Sequence, residues 1–321
     1  MRILVTGACG FVGTHLVRGL LETVSNASVV AVDRTAPSTP GAAYWAPFAH
    51  RIEAAALDVT DRAAVHACMR ATSPTHVVHA AALTPTAQEE AERPDLIVDV
   101  NVGGTVAVLD AATRTPGLRR VILVSSGAVF GREQGRGGPL GEDVAPVPER
   151  LYGVTKLAAE GIASRLGELR GVSVLTVRLA SVYGAMERRT DTRHRMSLIH
   201  RLVSSKGSMT VSRQDIARDW VHADDVATAI ASLLMHEAPG LRTFNVGGGE
   251  PVGWTRIVRA FQGAGFPIAF AEDAACADIV VGREDARPVL SITRLVEATG
   301  FRPRTIEQGI ATLIQQVKAS P

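Results

Sequence analysis

Two side chains in this sequence are placed to move a proton between them. They are Tyr152 and Lys156, in the run Leu151-Tyr152-Gly153-Val154-Thr155-Lys156. On a helix, residues four apart project from one face, one turn above the other. A free tyrosine has a pKa of ~10, so a phenol working as a base near neutral pH must drop by roughly three units. That is on the order of 4 kcal/mol of preferential stabilisation of the phenolate, and a neighbouring ammonium supplies part of it. A lone Tyr-x-x-x-Lys is also what an ordinary amphipathic helix offers. The elements around it decide between the two readings.

The first of those elements is Arg2-Ile3-Leu4-Val5-Thr6, a short apolar run that reads as a buried strand. It stops at Gly7-Ala8-Cys9-Gly10-Phe11-Val12-Gly13 and continues with helical apolar spacing from Thr14 to Leu21. Strand, Gly-x-x-Gly-x-x-Gly turn and helix form a phosphate-binding device. Gly7 permits the tight turn, Gly10 lets backbone approach a pyrophosphate, and Gly13 lets helix and strand pack closely. The next strand, Ser28–Val32, delivers Asp33 about twenty residues beyond Gly13, where an acid binds adenosine ribose hydroxyls. A carboxylate there repels a 2′-phosphate and favours NAD over NADP, whereas Arg34 next door works the other way. NAD is the expected cofactor.

Further strands are expected near Ile52–Leu57, Thr75–Val78 and Arg120–Val124. They end at Asp58, at His79-Ala80-Ala81-Ala82 and at Ser125-Ser126. Asp58 either faces the adenine or forms a turn, and Thr60-Asp61 is placed to cap a helix over Ala63–Met69. Small residues at Ala80–Ala82 leave room for a dinucleotide crossing the strand ends. A further helix is expected from Asn101 through Ala112, and a Gly/Pro-rich loop, 135–148, precedes the tyrosine helix. The glycine turn, Asp33, Ala80–Ala82 and the serines thus gather at the carboxyl edge of an open parallel sheet, where such sheets bind ligands.

Composition narrows the class. The 321 residues carry a formal net charge of +2 and 46% hydrophobic residues, which argues against a nucleic-acid or membrane-surface protein. Cys9, Cys68 and Cys276 are too widely spaced for a disulfide framework or a zinc site, and fit a reducing compartment, so a cytoplasmic location is expected. No run approaches ~18 continuous apolar residues. His76 and His79, three apart on a strand, face opposite ways and make a poor metal pair, and no metal is expected.

The ordered set resembles the extended short-chain dehydrogenase/reductases of the NAD-dependent epimerase/dehydratase type. Matching residues are Thr6-Gly7-x-x-Gly10-x-x-Gly13, Asp33, Asp58, His79-Ala80-Ala81, Asn101, Ser125-Ser126 and Tyr152-x-x-x-Lys156. The likeness continues through Val177–Gly184, Arg218-Asp219-Trp220 to Val226, and Phe244-Asn245-Val246-Gly247, so it covers nearly the whole chain. It implies an α/β fold, a Rossmann-type doubly wound parallel sheet over 1–180 plus 215–250. A smaller substrate-binding domain over 181–214 plus 251–321 completes it. It implies that Tyr152, as phenolate, takes the proton of a secondary alcohol while hydride passes to the nicotinamide, with Lys156 acidifying the tyrosine and Ser126 polarising the reacting oxygen. Cofactor contacts would come from Gly7, Gly10, Phe11, Val12, Gly13, Asp33, Arg34, Asp58, Val59, Ala80, Ala81, Ala82, Asn101, Val124, Tyr152 and Lys156. Substrate contacts would come from Thr84, Ser126, Arg193, Arg218 and Arg283. Relatives often pair through four helices, so a homodimer is expected.

Departures from the family pattern sort its chemistries. Dehydratases carry an Asp-Glu pair after the catalytic hydroxyl residue, because water elimination needs an acid and a base; here Gly127-Ala128 stand there. The GDP-fucose synthase type has a cysteine beside the serine, and none stands here. Arg218 and Arg283 match the arginines that hold the diphosphate in sugar-nucleotide 4-epimerases, which favours that activity. The cation-dense run Glu187–Arg195 suits a compact anionic substrate, which keeps open an NAD-dependent dehydrogenase of a sugar, sugar acid or small hydroxy compound. A non-catalytic NAD-binding regulator is the remaining alternative, and such proteins tend to lose the tyrosine or the lysine.

Overall fold

A computed structural model describes the chain except for residues 191, 192, 194, 195, 206, 214, 215, 237–241, 320 and 321, and the side chains of 135, 136 and 284. Six strands follow the apolar runs: β1 (Arg2–Thr6), β2 (Ser28–Asp33), β3 (Ile52–Ala56), β4 (His76–His79), β5 (Arg120–Ser126) and β6 (Ser173–Leu179). A seventh, Thr243–Val246, pairs beside β6, and the sheet order is Thr243–Val246, β6, β5, β4, β1, β2, β3. Every pairing in it is parallel. The chain winds one way from β1 to β3 and the other way from β4 onward, so a crevice opens between the ends of β1 and β4.

Both faces of the sheet are covered, which is why its central strands are apolar without alternation. Ile3, Val5, Ile122, Val124 and Val177 bury against Leu16 and Leu20 of helix α1 (Phe11–Thr23) and Ile230 and Leu233 of the helix Ala223–Met235. These two helices cross closely, since a Cβ on Gly19 would lie 2.5 Å from that of Ala227. On the opposite face Leu4, Val77, Val121 and Leu123 meet Val65, Met69, Val108, Ala159 and Ala163. A third cluster, with Tyr183, Leu202, Trp220, Trp254, Phe261 and Leu313, lies beyond the strand ends.

Some elements were not legible. Thr86 and Glu89 form a reciprocal capping box that starts a helix at Ala87, and a helical run then continues from Pro94 to Thr113, seven residues before the expected start. Asp61 caps the helix Arg62–Thr72 by accepting from the Ala64 amide at 2.9 Å, as its position implied. The run Pro94–Thr113 is long and apolar enough by composition to cross a membrane, and half of it is buried in the protein. A π turn at Asp99–Gly103 interrupts it around Asn101.

Candidate active site

The glycine turn is built for something other than side chains. Gly7 has φ +68, and a Cβ there would lie 2.7 Å from the backbone of Ala81. A Cβ on Gly13 would lie 1.9 Å from the Gly7 carbonyl oxygen. Helix α1 begins at Gly10 with no side-chain cap, so the amides of its first turn, Phe11, Val12 and Gly13, face the crevice end without a capping oxygen. Aligned peptide dipoles add positive potential at this end. A pyrophosphate fits this cradle. Asp33 Oδ2 accepts from the Cys9 amide at 3.0 Å, and Oδ1 accepts from the Thr35 amide and hydroxyl at 3.1 and 3.2 Å. One carboxylate therefore shapes the turn and keeps lone pairs for a ribose.

Opposite, β5 and the tyrosine helix (Leu151–Arg170) carry the reactive groups. A Cβ on Gly153 would lie 2.2 Å from the Ala128 carbonyl oxygen, so the glycine lets the helix press against the turn after β5. Tyr152 is half-buried, and Ser126 and Thr84 interact with its phenol. Ser126 Oγ also accepts from the Ala128 amide at 3.1 Å, which fixes its rotamer. The Lys156 ammonium donates to the Val124 carbonyl at 2.9 Å and lies 5.9 Å from the Tyr152 ring centre. Burial pushes its pKa down to about 8, while the carboxylate of Glu160 pulls it back up.

Burial raises the Tyr152 pKa above its ordinary value, and the groups that pull it down are Ser126, the Arg193 guanidinium and Thr84. The Lys156 ammonium stands over the Tyr152 ring while donating to the strand backbone at Val124.

The other sequence candidates fall into three groups. Ala80, Ala81 and Ala82 follow β4 at the crevice, and the Ala81 amide donates to Thr6 Oγ1 at 3.2 Å. Val59 is buried with its side chain against Gly104, so only its backbone faces outward. Asp58 forms a turn: its Oδ1 accepts from the Thr60 amide at 2.9 Å and hydroxyl at 2.7 Å, with Arg34 as a neighbouring charge. Asn101 does not present its side chain to a ligand. It is buried, exchanging bonds with the Leu83 amide and carbonyl at 2.8 and 3.0 Å and donating to Thr155 at 3.2 Å. It thereby sets the loop that brings Thr84 to Tyr152. Arg193 joins Thr84 in a β-bridge, pairs with Glu187 and lies 5.4 Å over the Phe11 ring. Its neighbours Asp191, Thr192, His194 and Arg195 lie outside the described residues. Arg218 pairs with Asp285 at 2.9 Å, which brings the exposed Arg283 turn to the same place.

A model of the NAD dependent epimerase/dehydratase family matches residues 3–247. The chain belongs to that family. It is 30% identical over 304 residues to a dTDP-L-rhamnose 4-epimerase of Burkholderia thailandensis, covering 83% of this chain and 82% of the relative. It is 27% identical to a UDP-glucose 4-epimerase of Mycolicibacterium smegmatis, covering 98% of each. The solved UDP-glucose 4-epimerase of Thermus thermophilus, a complex with NAD, superposes with a TM-score of 0.78 at 25% identity over 100% of both chains.

Family motifs did not point to the buried charges behind the site. Glu160 accepts from Ser125 Oγ at 2.5 Å and from Arg178 at 2.8 to 3.2 Å. The two serines thus divide the work, Ser126 toward Tyr152 and Ser125 toward the core. A signal was present: Glu160 lies one turn beyond Lys156 on the same helix face, and Arg178 is a cation inside the otherwise apolar β6.

Proposed function

We propose that this protein is an NAD-dependent 4-epimerase of a nucleotide sugar. The observation that carries the reading is that the Tyr152 phenol interacts with Ser126, Thr84 and Arg193, beside a glycine cradle fitted to a pyrophosphate. Bound NAD supplies the hydride acceptor and donor. Gly7, Gly10 and the amides of Phe11–Gly13 hold its pyrophosphate, Asp33 its adenosine ribose, and Lys156 its nicotinamide ribose. Tyr152 accepts the proton of the sugar hydroxyl and returns it, and Ser126 fixes that oxygen by hydrogen bonding. Thr84 and Arg193 border the sugar, and Arg218 with Arg283 bind the nucleotide diphosphate. Residues 181–214 and 251–321 form the substrate-binding part, and 1–180 and 215–250, which carry Thr84 and Arg218 toward it, bind the cofactor.

Gly127-Ala128 after Ser126 support epimerisation over dehydration, because the turn offers no second acid–base pair to expel water. The substrate is an anionic nucleotide sugar. Val98 and Val154 stand 41% and 47% exposed on adjacent helices, and we assign that face to a homodimer contact. With three free thiols, the protein works in the cytoplasm.

Incubation with UDP-glucose, UDP-glucuronic acid and dTDP-L-rhamnose, followed by NMR of the products, tests the activity. A C4 epimer should form from one of them without accumulating NADH. Product formed together with stoichiometric NADH would identify a dehydrogenase instead.

A further inference from the structure

Arg188 comes from the segment that follows Gly184, yet it reaches the far wall of the cofactor crevice. Its Nη2 donates to the Cys9 carbonyl at 2.9 Å and its Nη1 to Ser38 Oγ at 3.0 Å. Cys9 is the residue between Gly7 and Gly10 whose amide bonds Asp33, and Ser38 starts the short helix after β2. A single guanidinium thus ties the glycine turn to the chain beyond β2, at the adenosine end of the crevice. The Cys9 thiol registers it: burial and Asp33 push the thiol up to about 12, and Arg188 opposes them.

The approach to Arg188 is fixed on both sides. Met186 has φ +64, a left-handed conformation that side chains rarely adopt, so the surrounding structure holds the chain in this bend. Glu187 is buried and accepts from the Ser197 amide at 2.8 Å and hydroxyl at 2.5 Å, as well as from Arg193. Before the bend, the Ala185 carbonyl accepts from His15 Nε2 of α1 at 2.7 Å. Arg188 is therefore presented to Cys9 and Ser38 from a fixed base, spanning a crevice whose floor is the glycine turn.

We infer that Arg188 governs how long the cofactor stays bound, by fastening the segment after Gly184 across the adenosine side of the crevice. This rests on the reading that the protein binds NAD, and it deepens it. An enzyme that oxidises and re-reduces the same carbon must keep its reduced cofactor through the cycle, and a two-pronged tie across the crevice slows escape without touching the reacting atoms. Arg189, exposed and one residue on, makes a matched control.

The test compares Arg188→Met, which keeps the aliphatic stem, with Arg189→Met and the unaltered protein. NAD-loaded protein is diluted into excess competing nucleotide, and release of bound NAD is followed in time by chromatography of the protein fraction. Arg188→Met should release NAD at least about tenfold faster, from the loss of two charge-assisted hydrogen bonds. Arg189→Met should match the unaltered protein. Release within twofold of the unaltered protein in Arg188→Met, with its thermal unfolding unchanged, would overturn the inference and leave the NAD reading standing. Failure of the unaltered protein to hold NAD at all would overturn both.

Discussion

Replacing Glu160 by glutamine removes one charge and almost no volume from the centre of the site's support. Glu160 and Arg178 side chains are 8% and 6% exposed and joined at 2.8 Å, with Ser125 donating to the same carboxylate. Taking one partner from such a pair leaves a buried cation without its counter-charge, which costs about 3–5 kcal/mol. For a chain of this length that corresponds to a fall of roughly 4–7 °C in Tm. The substitution has a second effect. Glu160 is the group that raises the Lys156 pKa against burial, so in Glu160→Gln it falls further below about 8. The alkaline limb of the pH–activity profile should move to lower pH. Urea unfolding measures the first effect and initial rates across pH the second. The double variant Glu160→Gln/Arg178→Met should recover most of the lost stability, because it removes the stranded cation as well. A loss under about 1 kcal/mol, or a double variant no better than the single, would refute the reasoning.

Three other outcomes follow from the same geometry. Gly13→Ala should abolish NAD binding, measured as nucleotide released on denaturation, because its Cβ would lie 1.9 Å from the Gly7 carbonyl oxygen. Lys156→Met should stop turnover without loss of stability at neutral pH. The lysine's pKa in the fold, about 8 against 10.5, means the unfolded chain binds more protons between those values, so its contribution to stability rises with pH there and its burial cost is complete below about 8. Urea melts of the unaltered protein should show this alkaline gain, of order 3 kcal/mol at most, and those of Lys156→Met should lack it. Asp224 behaves oppositely: burial pushes its carboxyl up, but the hydrogen bond at 2.5 Å and charge of His15, with help from His222 and Gln316, hold it well below the usual range. Its contribution is complete above pH ~4 and lost below. Asp224→Asn should therefore cost about 2 kcal/mol at pH 7 and flatten the acid-side loss of stability in pH-dependent urea melts.

The fold was legible because each step of the sheet leaves a local mark. Apolar runs end at glycine, alanine or serine, and Asp33 falls at the right distance from Gly13. Asp61 and the Tyr152–Lys156 spacing needed only helix geometry. What escaped was non-local. Asn101 looked like a ligand contact but spends its amide on Leu83 and Thr155, partners 18 and 54 residues away. The restraint on Lys156 comes from Val124, 32 residues back, so spacing along the helix could not show what holds its ammonium. Arg188 stood in a cation-dense run as one charge among several. Its tie to Cys9 spans 179 residues and exists only once the bend at Met186 is folded.

The claim on which the rest depends is that the Tyr152 hydroxyl transfers the proton. Tyr152→Phe removes that oxygen alone, so NAD content and turnover of a nucleotide sugar should be measured together in this variant. The account predicts NAD retained at the level of the unaltered protein and turnover reduced about 10²–10⁴-fold. Turnover within a few-fold of the unaltered protein, with NAD bound, would contradict it.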